Sequence, residues 1–512
     1  MPIAAKTKRN FYQDSLALMR ISQAVGARAG LGRVSLLMGT PANKDLLAQA
    51  GLLAAEVAAA MPADLMIVVE GEPRALEPAL AEIERELSQR GRAPAIEHGE
   101  IAPRSIAMGL ERLPGALLAQ VSVPGPYAAA EAMKALRRGL HVFLFSDNVP
   151  LAEEQAIKRL AAKKSLLVMG PDCGTALIAG VPLGFANVVR RGAIGLVGAS
   201  GTGLQEVSCR IHALGEGVSH GLGTGTRDVS AAVGGTTLLA GLALLGRDPA
   251  TRVIVIVSKP PADAVADAAL AAARACGKPV VVLFLGTKRS SLGGNLHAVA
   301  TLEEAAATAV ALVRRAPPAL ESDAAPPSLG AEVAALAPSQ RYLRGLYSGG
   351  TYCTEAQCLW QDAGIATWSN APTDKRYALP HGATSREHTA IDFGADEFTV
   401  GRPHPMIDFA ARTERLAAEA RDASVAVIVL DVVLGHGADA DPAGKLAPAV
   451  RAARVLAQQA GRTLVVVGFV CGTDGDPQGL AGQRAQLRDA GVHLAPTSTG
   501  AARLAARIVA GR

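Results

Sequence analysis

Short apolar runs, each ending in a turn and followed by an amphipathic stretch, recur along the first part of the chain. They cover residues 34–39, 65–69, 116–123, 141–145 and 166–169. Runs of this length separated by helical periodicity predict strands connected by helices, and therefore a parallel, doubly wound sheet. Ligands of such sheets bind in the turns at the carboxyl ends of the strands.

A second unit of the same kind is predicted after residue 190, and it is followed by a third. The apolar run 193–197 leads through a glycine-rich turn at 198–203 into a helix near Leu204, and further strands are predicted at 253–257 and 280–285. The runs 343–347, 425–430 and 464–469 follow the same order, with a turn at 348–351 before a helix. We interpret the third unit as a repeat of the fold of the second unit, without close sequence similarity.

The stretch 316–328 separates these two units. It contains Pro317, Pro318, Pro326 and Pro327 and shows little periodicity. Such composition is typical of an extended linker, so a domain boundary is predicted there.

Composition supports this α/β reading and excludes several classes of protein. The 512 residues suffice for about three domains; 49% are hydrophobic and only 3% aromatic, which favours helices packed on buried parallel strands. No apolar run is long enough to span a membrane. The net charge of +5 has no long block of like charge, which disfavours nucleic acid as the main ligand. Six cysteines without a Cys-x-x-Cys pair fit a reducing cytoplasm.

The turn Ser200-Gly201-Thr202-Gly203 is the first candidate site. It lies where a strand becomes a helix, so free N–H groups and the positive helix end would face an anion such as phosphate or a carboxylate. Gln205 and Glu206 follow in the first helical turns, where Glu206 could instead act as a cap partner. An ordinary tight turn remains the alternative.

The turn Ser348-Gly349-Gly350-Thr351, with Glu355 one helical turn later, has the same arrangement. Two helix ends in paired domains could face one ligand across a cleft. Neither turn has the spacing of a P-loop, and residues 39–44 lack its second glycine, so nucleoside triphosphate binding of that type is not predicted.

Two loops place arginines where a substrate carboxylate or phosphate could be bound. Arg227 and Asp228 follow a glycine-rich run, and Arg402 and His404 lie in a loop stiffened by two prolines. The alternatives are an Arg–Asp pair that stabilises a turn and a capping loop with a solvated histidine.

Metal binding and cysteine chemistry are not predicted. His381, His388, His404 and Asp392 occur in one region, but without the spacing of a zinc site. Cys173 and Cys471 lie in turns with no partner evident in the sequence, so we interpret them as small core or loop residues.

Several of these motifs carry a family resemblance. The segments 121–127 (VSVPGPY), 145–148 (FSDN), 169–175 (MGPDCGT) and 194–203 resemble the CoA-binding and ligase domains of the succinyl-CoA synthetase α subunit, and the third unit resembles the ligase domain of its β subunit. The segments 38–44, 198–206, 258–261 and 399–408 are similar to the FdrA family, over almost the whole chain.

The resemblance implies a fold and its boundaries. It implies a Rossmann-like, CoA-binding-type domain with an N-terminal lead-in (1–190), followed by two flavodoxin-like ligase-type domains (191–315 and 339–512) separated by a linker (316–338). CoA or phosphate would be held, where that site persists, by residues in three turns: Gly39, Thr40, Lys44, Pro124, Tyr127 and Asn148. For Lys44 an exposed lysine at a helix start is the alternative.

The resemblance also implies a function. FdrA-type proteins in purine and allantoin catabolism are associated with oxamate carbamoyltransferase, which forms carbamoyl phosphate and oxamate from oxalurate and phosphate, and two companion subunits are implied. The alternatives are an acyl-CoA synthetase subunit and a non-catalytic scaffold subunit. The expected chain is thus a cytoplasmic subunit of an oligomer that binds small molecules. Its catalytic residues are not assigned.

One departure from the synthetase pattern bears on this choice. The synthetase α subunit carries a phosphorylated histidine in a loop that corresponds to 286–294 here, and these nine residues contain no histidine. His297 comes later, and His436 lies in the wrong repeat. We therefore expect that no phosphohistidine forms.

Overall fold

The computed structural model describes residues 1–510 except 12, 14, 27, 91–102, 288–291, 322–326 and 400–402. Two compact units are present. The first comprises Met1–Gly115 with Thr399–Pro403, and the second comprises Ala116–Phe398 with His404–Arg512.

The first unit is an antiparallel sheet with helices packed on it. Its elements are β1 (Ile3–Lys8), α1 (Ser15–Gly26), β2 (Leu31–Met38), α2 (Pro41–Gln49), α3 (Ala55–Ala58), β3 (Leu65–Gly71), α4 (Pro73–Arg90) and α5 (Ile106–Arg112). The strand order is β1-β3-β2, and β3 pairs antiparallel with both neighbours. Ile67 and Ile83 lie in its core with Leu18, Leu36 and Leu87.

The sequence pattern was wrong about this sheet. We expected the runs 34–39 and 65–69 to join a parallel sheet with the strands after residue 115, whereas β2 and β3 pair antiparallel with each other. The central strand β3 is buried along nearly all of its length. A buried strand has the same short apolar sequence in a parallel sheet and in the centre of an antiparallel sheet. The sequence pattern therefore does not specify whether neighbouring strands run parallel or antiparallel.

The second unit begins with a small parallel sheet. It contains β4 (Leu118–Val121), α6 (Gly125–Arg137), β5 (His141–Leu144), α7 (Leu151–Lys163) and β6 (Val168–Met169), in the order β4-β5-β6. The strands predicted at 116–123, 141–145 and 166–169 are therefore confirmed.

A seven-stranded sheet follows, with the order β13-β12-β11-β9-β10-β7-β8. Its elements are β7 (Thr175–Ile178), β8 (Val181–Gly184), β9 (Arg191–Gly198), α8 (Gly201–Ala213), β10 (Val218–Gly223), a 3-10 turn (Thr226–Val229), α9 (Thr236–Arg247), β11 (Val253–Ser258), α10 (Asp263–Ala275), β12 (Val280–Phe284), β13 (Leu296–Ala298) and α11 (Leu302–Arg314). The strands from β9 to β13 are parallel, and the hairpin β7-β8 joins β10 antiparallel.

The remaining sheet has six parallel strands in the order β15-β16-β14-β17-β18-β19. After α12 (Pro327–Ala334) come β14 (Tyr342–Tyr347), α13 (Gly350–Asp362), β15 (Trp368–Ser369), a 3-10 turn (Lys375–Tyr377), β16 (Thr389–Asp392), α14 (Asp396–Thr399), α15 (Ala410–Arg421), β17 (Val425–Val433), α16 (Pro442–Gln459), β18 (Val465–Cys471), α17 (Leu480–Asp489), β19 (Val492–Leu494) and α18 (Ser498–Val509).

The two large sheets share one topology. Reading β9 as β14, β10 as β16, β11 as β17, β12 as β18 and β13 as β19 converts the order β13-β12-β11-β9-β10 into β19-β18-β17-β14-β16. In both, the first strand leads into the helix of a glycine-containing turn, α8 or α13. The structure therefore contains the predicted repeat of fold, and the α/β class with several parallel sheets is confirmed.

The predicted linker 316–338 is not extended throughout, because it contains α12. Leu329 and Leu336 are buried, and Glu332 binds Arg454 at 2.9 Å and His493 at 3.1 Å. The cluster of prolines concealed this short helix from the pattern. Among the described residues, no helix is both long and apolar enough to cross a membrane.

Candidate functional site

The helix α8 begins at a close approach of two strands. A Cβ on Gly198, the last residue of β9, would lie 1.8 Å from the carbonyl oxygen of Val257 in β11, so only glycine fits there. Ser200 is the N-cap of α8, and its side chain makes no capping hydrogen bond. The first N–H groups of α8 have no acceptor within the helix and carry its positive dipole end.

The helix α13 begins in the same way, with Gly349 as its N-cap. The preceding residue, Ser348, is anchored, because its N–H donates to Oδ1 of Asp431 at 2.7 Å and its hydroxyl donates to Oδ2. Asp431 is fully buried and is paired with Arg412 at 3.0 Å. Burial lowers the pKa of Arg412. This buried ion pair fixes the turn before α13.

The two helix ends meet in a reciprocal contact. The hydroxyls of Ser200 and Thr351 are 2.8 Å apart, and they join the N-cap of α8 to the second residue of α13. Conversely, a Cβ on Gly349, the N-cap of α13, would lie 2.6 Å from Cγ2 of Thr202, the second residue of α8. The two turns predicted from sequence are therefore adjacent in the structure, and each N-cap contacts the second residue of the other helix.

Lys259 and Asp392 flank this pair of helix ends. Lys259 follows β11 and Asp392 ends β16. A Cβ on Gly350 would lie 2.5 Å from Oδ2 of Asp392 and 3.4 Å from Nζ of Lys259. Burial raises the pKa of Asp392, and the positive charge of Lys259 acts in the opposite direction.

Sequence reasoning did not select Lys259, Asp392 or Asp431 as site residues. Lys259 was part of a quoted motif, 258–261, and its place directly after a predicted strand was an available signal. Asp392 and Asp431 are more than a hundred residues from Lys259 along the chain, and only the fold brings Asp392 to it.

His404 adds a neutral imidazole near the same place. Its Nδ1 accepts the N–H of Met406 at 3.3 Å, which places the ring proton on Nε2. The ring packs against Phe185, with centroids 5.2 Å apart. Burial, followed by the charge of Arg412, lowers the pKa of His404 to about 4. Nε2 lies 3.4 Å from the Cβ position of Gly394, which in turn is 3.1 Å from Oδ1 of Asp392. Arg402 lies outside the described residues.

The second unit has two halves, one with the seven-stranded sheet and one with the six-stranded sheet. Behind the helix ends, Glu206 and Glu355 each bind a helix of the half to which they do not belong. Glu206 on α8 accepts the N–H of Ser498, at the start of α18, at 3.2 Å. Glu355 on α13 accepts the N–H of Leu302, at the start of α11, at 2.8 Å, and also the hydroxyl of Thr499 at 2.9 Å. Burial raises the pKa of Glu355 to about 7. Each glutamate therefore caps a helix of the other half.

Arg227 is held in an ion-pair network. Its Nε is 3.0 Å from Oε2 of Glu154, and its guanidinium also donates to the carbonyl of Val149. The neighbouring Asp228 accepts the N–H of Leu238 in the first turn of α9 and pairs with Lys158 at 2.7 Å. These contacts account for both residues structurally, and a substrate contact by Arg227 stays a prediction.

The turns after β4 and β5 lie together, as the sheet requires. A Cβ on Gly125 would lie 2.4 Å from the carbonyl oxygen of Asp147 and 2.6 Å from that of Asn148. This brings Pro124 and Asn148 to one edge of the sheet, where Tyr127 is 43% exposed.

The turn Gly39 to Lys44 belongs to the first unit. Thr40 caps α2 by accepting the N–H of Asn43 at 3.3 Å, and a Cβ on Gly39 would lie 2.4 Å from the carbonyl oxygen of Met61. Lys44 is half-buried. Both the cap and the close approach are explained by local folding, and ligand binding there stays a prediction.

The other histidines and the cysteines lie elsewhere. His297 is in β13 at the sheet edge. His436 is exposed, and its backbone N–H donates to the carbonyl of Ala186. Cys173 is buried, which raises the pKa of its thiol to about 12, and burial raises the pKa of Cys471 well above its usual value. Within the described ranges, no group of three His, Cys, Asp or Glu could hold a metal ion.

Three family models match the chain. A CoA-ligase model matches residues 346–508, a CoA-binding model matches 189–286, and a model described as AllF, heavy metal-associated domain, matches 1–102. Heavy metals select soft thiolate ligands. Residues 1–115 contain no cysteine and a single histidine, His98, so they lack the thiolate ligands that such an ion selects.

Individual proteins are similar to parts of the chain. The chain is 26% identical over 183 residues to the malate–CoA ligase α subunit of Methylorubrum extorquens. This match covers 34% of this chain and 60% of that subunit. A solved structure, the dinucleotide-forming acetyl-coenzyme A synthetase 1 of Ca. Korarchaeum cryptofilum, matches 76% of this chain and 82% of its own, with 16% identity and a TM-score of 0.32.

One relative matches from end to end. The uncharacterized protein YahF of Escherichia coli (strain K12) is 43% identical over 512 residues, which is 99% of each chain. The chain therefore belongs to the YahF family, with CoA-binding and CoA-ligase domains.

Proposed function

We propose that this protein is a subunit of an acyl-transferring enzyme and holds phosphate or an acyl phosphate at the paired N-termini of α8 and α13. The reciprocal contact between these helix ends, with Lys259 beside it, is the observation that carries the proposal. Two helix dipoles and one ammonium group supply positive potential at one place. Two carboxyl groups, Asp392 and Asp172, interact with the charge of Lys259, and burial raises the pKa of both.

The chemistry follows from these groups. Unpaired N–H groups of the first turns are fixed donors for oxygens that gain negative charge during acyl or phosphoryl transfer. Lys259 would neutralise a phosphoryl oxygen, and the Nε2–H of His404 would donate to a substrate oxygen. Because Ser200 and Ser348 are held by their own partners, these donors would not need to reorganise.

The first specific function is that of an acid–CoA ligase subunit. Matches to CoA-binding and CoA-ligase family models support it. CoA would supply the thiol that accepts the acyl group. The turns at Pro124 to Tyr127 and at Asn148, at the carboxyl ends of parallel strands, are a suitable place for it, because dinucleotide-like ligands bind at that edge of such sheets.

The second specific function is that of an oxamate carbamoyltransferase subunit. The match of residues 1–102 to an AllF-type domain and the absence of histidine from the sequence 286–294 support it. In this reaction a phosphate oxygen attacks the carbamoyl carbon of oxalurate. The bond from that carbon to the amide nitrogen breaks, the nitrogen takes a proton, and carbamoyl phosphate and oxamate are formed.

An assay of the purified protein together with two companion subunits would separate the two functions. Phosphate-dependent cleavage of oxalurate indicates the carbamoyltransferase, and acyl-CoA formation that depends on ATP and CoA indicates the ligase. Neither activity, in a complex that binds no phosphate, would reject both functions and leave a scaffold role.

The anion site itself is tested by Gly201→Asp. The Cβ position of Gly201 is 3.4 Å from Oγ1 of Thr175 and free of closer contacts, and an acidic residue is favourable in the first helical turn, so the variant should fold. Its carboxylate would occupy the positive helix end and abolish phosphate binding, measured by calorimetry. Gly201→Ala is the matched control and should bind normally. Equal phosphate affinity in folded Gly201→Asp and in the control would contradict the proposal.

The carbamoyltransferase reaction also predicts that no phosphoenzyme forms on histidine. We would incubate the assembled complex with labelled ATP or labelled carbamoyl phosphate and denature it in alkali, which preserves phosphohistidine. We expect no acid-labile label on this chain. Label that disappears in His404→Ala, His436→Ala or His297→Ala would instead establish ligase chemistry with a histidine carrier.

A further inference from the structure

A cavity of about 570 Å³ lies beside α8, within the second unit. It is lined by the side of α8 that carries Arg210, by the end of β18 at Val470, and by α17 with Arg484 and Arg488. Pockets of this volume typically hold a small organic molecule. The cavity is separate from the helix ends, since Arg210 is ten residues after the N-cap Ser200 along α8.

Four arginines line its wall, together with three acidic side chains. Arg190 and Arg210 come from the half that contains the seven-stranded sheet, and Arg484 and Arg488 come from the other half. Arg484 and Arg488 are four residues apart on α17, so they lie on the same face, where like charges repel. Burial and then the positive charges of Arg488 and Arg210 lower the pKa of Arg484, and the charge of Glu206 acts in the opposite direction.

The acidic side chains of the cavity already form ion pairs or hydrogen bonds with other residues. Glu321 pairs with Arg210, and Asp474 binds His212 at 2.8 Å. Glu206 accepts the N–H of Ser498. The guanidinium of Arg190 donates to the carbonyls of His212 and Glu216 at 2.9 and 3.0 Å.

Two guanidinium groups remain without a partner. Within the part of the chain that the structure describes, neither Arg484, which is half-buried, nor Arg488 forms an ion pair or a hydrogen bond through its side chain. A half-buried guanidinium normally has an acceptor, because its desolvation is otherwise uncompensated. The wall also includes the partly exposed apolar side chains of Leu480 and Leu494, which an inorganic ion would leave uncovered.

From these observations we infer that the cavity between α8 and α17 is a binding site for a small organic anion with at least two negative charges, whose charged end is held by Arg484 and Arg488 and whose apolar part lies on Leu480 and Leu494. The doubly charged end is a phosphate monoester or a pair of carboxylates, since the planar guanidinium fork fits both.

Two matched probes distinguish the two kinds of anion. Phenyl phosphate and phenylmalonate each carry an aromatic ring and two negative charges. Calorimetry with the intact protein should show binding of at least one of them, and the tighter binder identifies the class. No binding of either probe at millimolar concentration would overturn the inference.

Variants locate the site. Arg484→Gln and Arg488→Gln should each weaken binding about ten-fold or more, because each removes a charged hydrogen-bond donor. Arg451→Gln, at an exposed position of α16, is the matched control and should bind like the original protein. Gly201→Asp, which blocks the helix ends, should leave this binding unchanged, so the site can fail while the proposed function stands.

Unfolding measurements complete the design. The probe should raise the unfolding temperature of the original protein and of Arg451→Gln, but not that of Arg484→Gln. Equal affinities in Arg484→Gln, Arg488→Gln and Arg451→Gln would show that the probe binds elsewhere and would overturn the inference.

Discussion

At the scale of single residues, Glu355 is one of the buried carboxyls whose ionisation should affect stability, together with Asp172, whose pKa burial raises to about 6. Glu355 is buried, and its pKa is raised to about 7 from an ordinary value of 4.5. In the unfolded chain Glu355 loses its proton near pH 4.5, whereas the folded protein keeps it up to about pH 7. The stabilisation is therefore complete below pH 4.5 and is lost as the pH rises to 7.

We accordingly expect Glu355 to contribute a fall of at most about 3 kcal/mol in unfolding free energy between pH 4.5 and 7. Urea unfolding at a series of pH values would measure this fall. Glu355→Gln removes this titrating group and should make that part of the profile shallower, while Glu414→Gln, at a position with no ion pair among the described residues, should not. A Glu355→Gln profile that runs parallel to the original would show that Glu355 is ionised in the folded state.

Single residues also show what sequence can and cannot give. The turns at Ser200 and Ser348 were found because glycine and hydroxyl residues between a strand and a helix indicate, from local sequence alone, a turn that can bind an anion. Lys259 and Asp392 lie at the ends of strands in two separate sheets and meet only because α8 packs against α13, a contact that no local pattern encodes. Glu206 was recognised as a possible cap, but the helix it caps, α18, begins 292 residues later.

At the scale of elements, the contact between α8 and α13 leaves no room for a side chain at Gly349. The backbone there is extended, with φ −118° and ψ 120°, so alanine is not strained by conformation. Its Cβ would instead overlap Thr202, whose β-branched side chain is stiff.

We therefore expect Gly349→Ala to lower the unfolding free energy by about 1–3 kcal/mol, the usual cost of overpacking. Gly201→Ala, on the other helix end, meets only one atom at 3.4 Å and should be neutral. Adding Thr202→Ser to Gly349→Ala should recover part of the loss. Without such recovery in urea unfolding, the overlap with Thr202 is not the cause.

The positions of strands along the chain were predicted well, whereas the direction in which neighbouring strands pair was not. The strands β9, β11, β12, β14, β17 and β18 were expected within a few residues, because Val, Ile and Leu runs between helices are distinctive. The antiparallel pairing of β2 with β3 and the hairpin β7-β8 were not expected. Pairing direction depends on partners distant in the chain, and an apolar run does not specify it.

At the scale of the whole molecule, the first unit has its own hydrophobic core. Ile67, in the centre of β3, is 1% exposed, and Ile256, in β11 of the second unit, is fully buried. Replacing either by alanine should cost about 2–5 kcal/mol. Because the cores are separate, we expect Ile67→Ala and Ile256→Ala to lower different transitions in calorimetry.

Phosphate affinity gives a second readout of this prediction. It should be unchanged in Ile67→Ala at temperatures where only the first unit has unfolded. If both variants instead lower one common transition, the two units unfold together.

Because Glu206 and Glu355 each cap a helix of the other half, neither half is structurally complete without the other. A self-complementary contact of this kind is the geometry of a two-fold dimer, here contained in one chain. Neither half carries all of its own capping groups, so neither can be exchanged for a related domain, or lost, without leaving an uncapped helix start and a buried carboxyl in what remains. Loss of either half would therefore destabilise the other, although each has the outline of an independent fold.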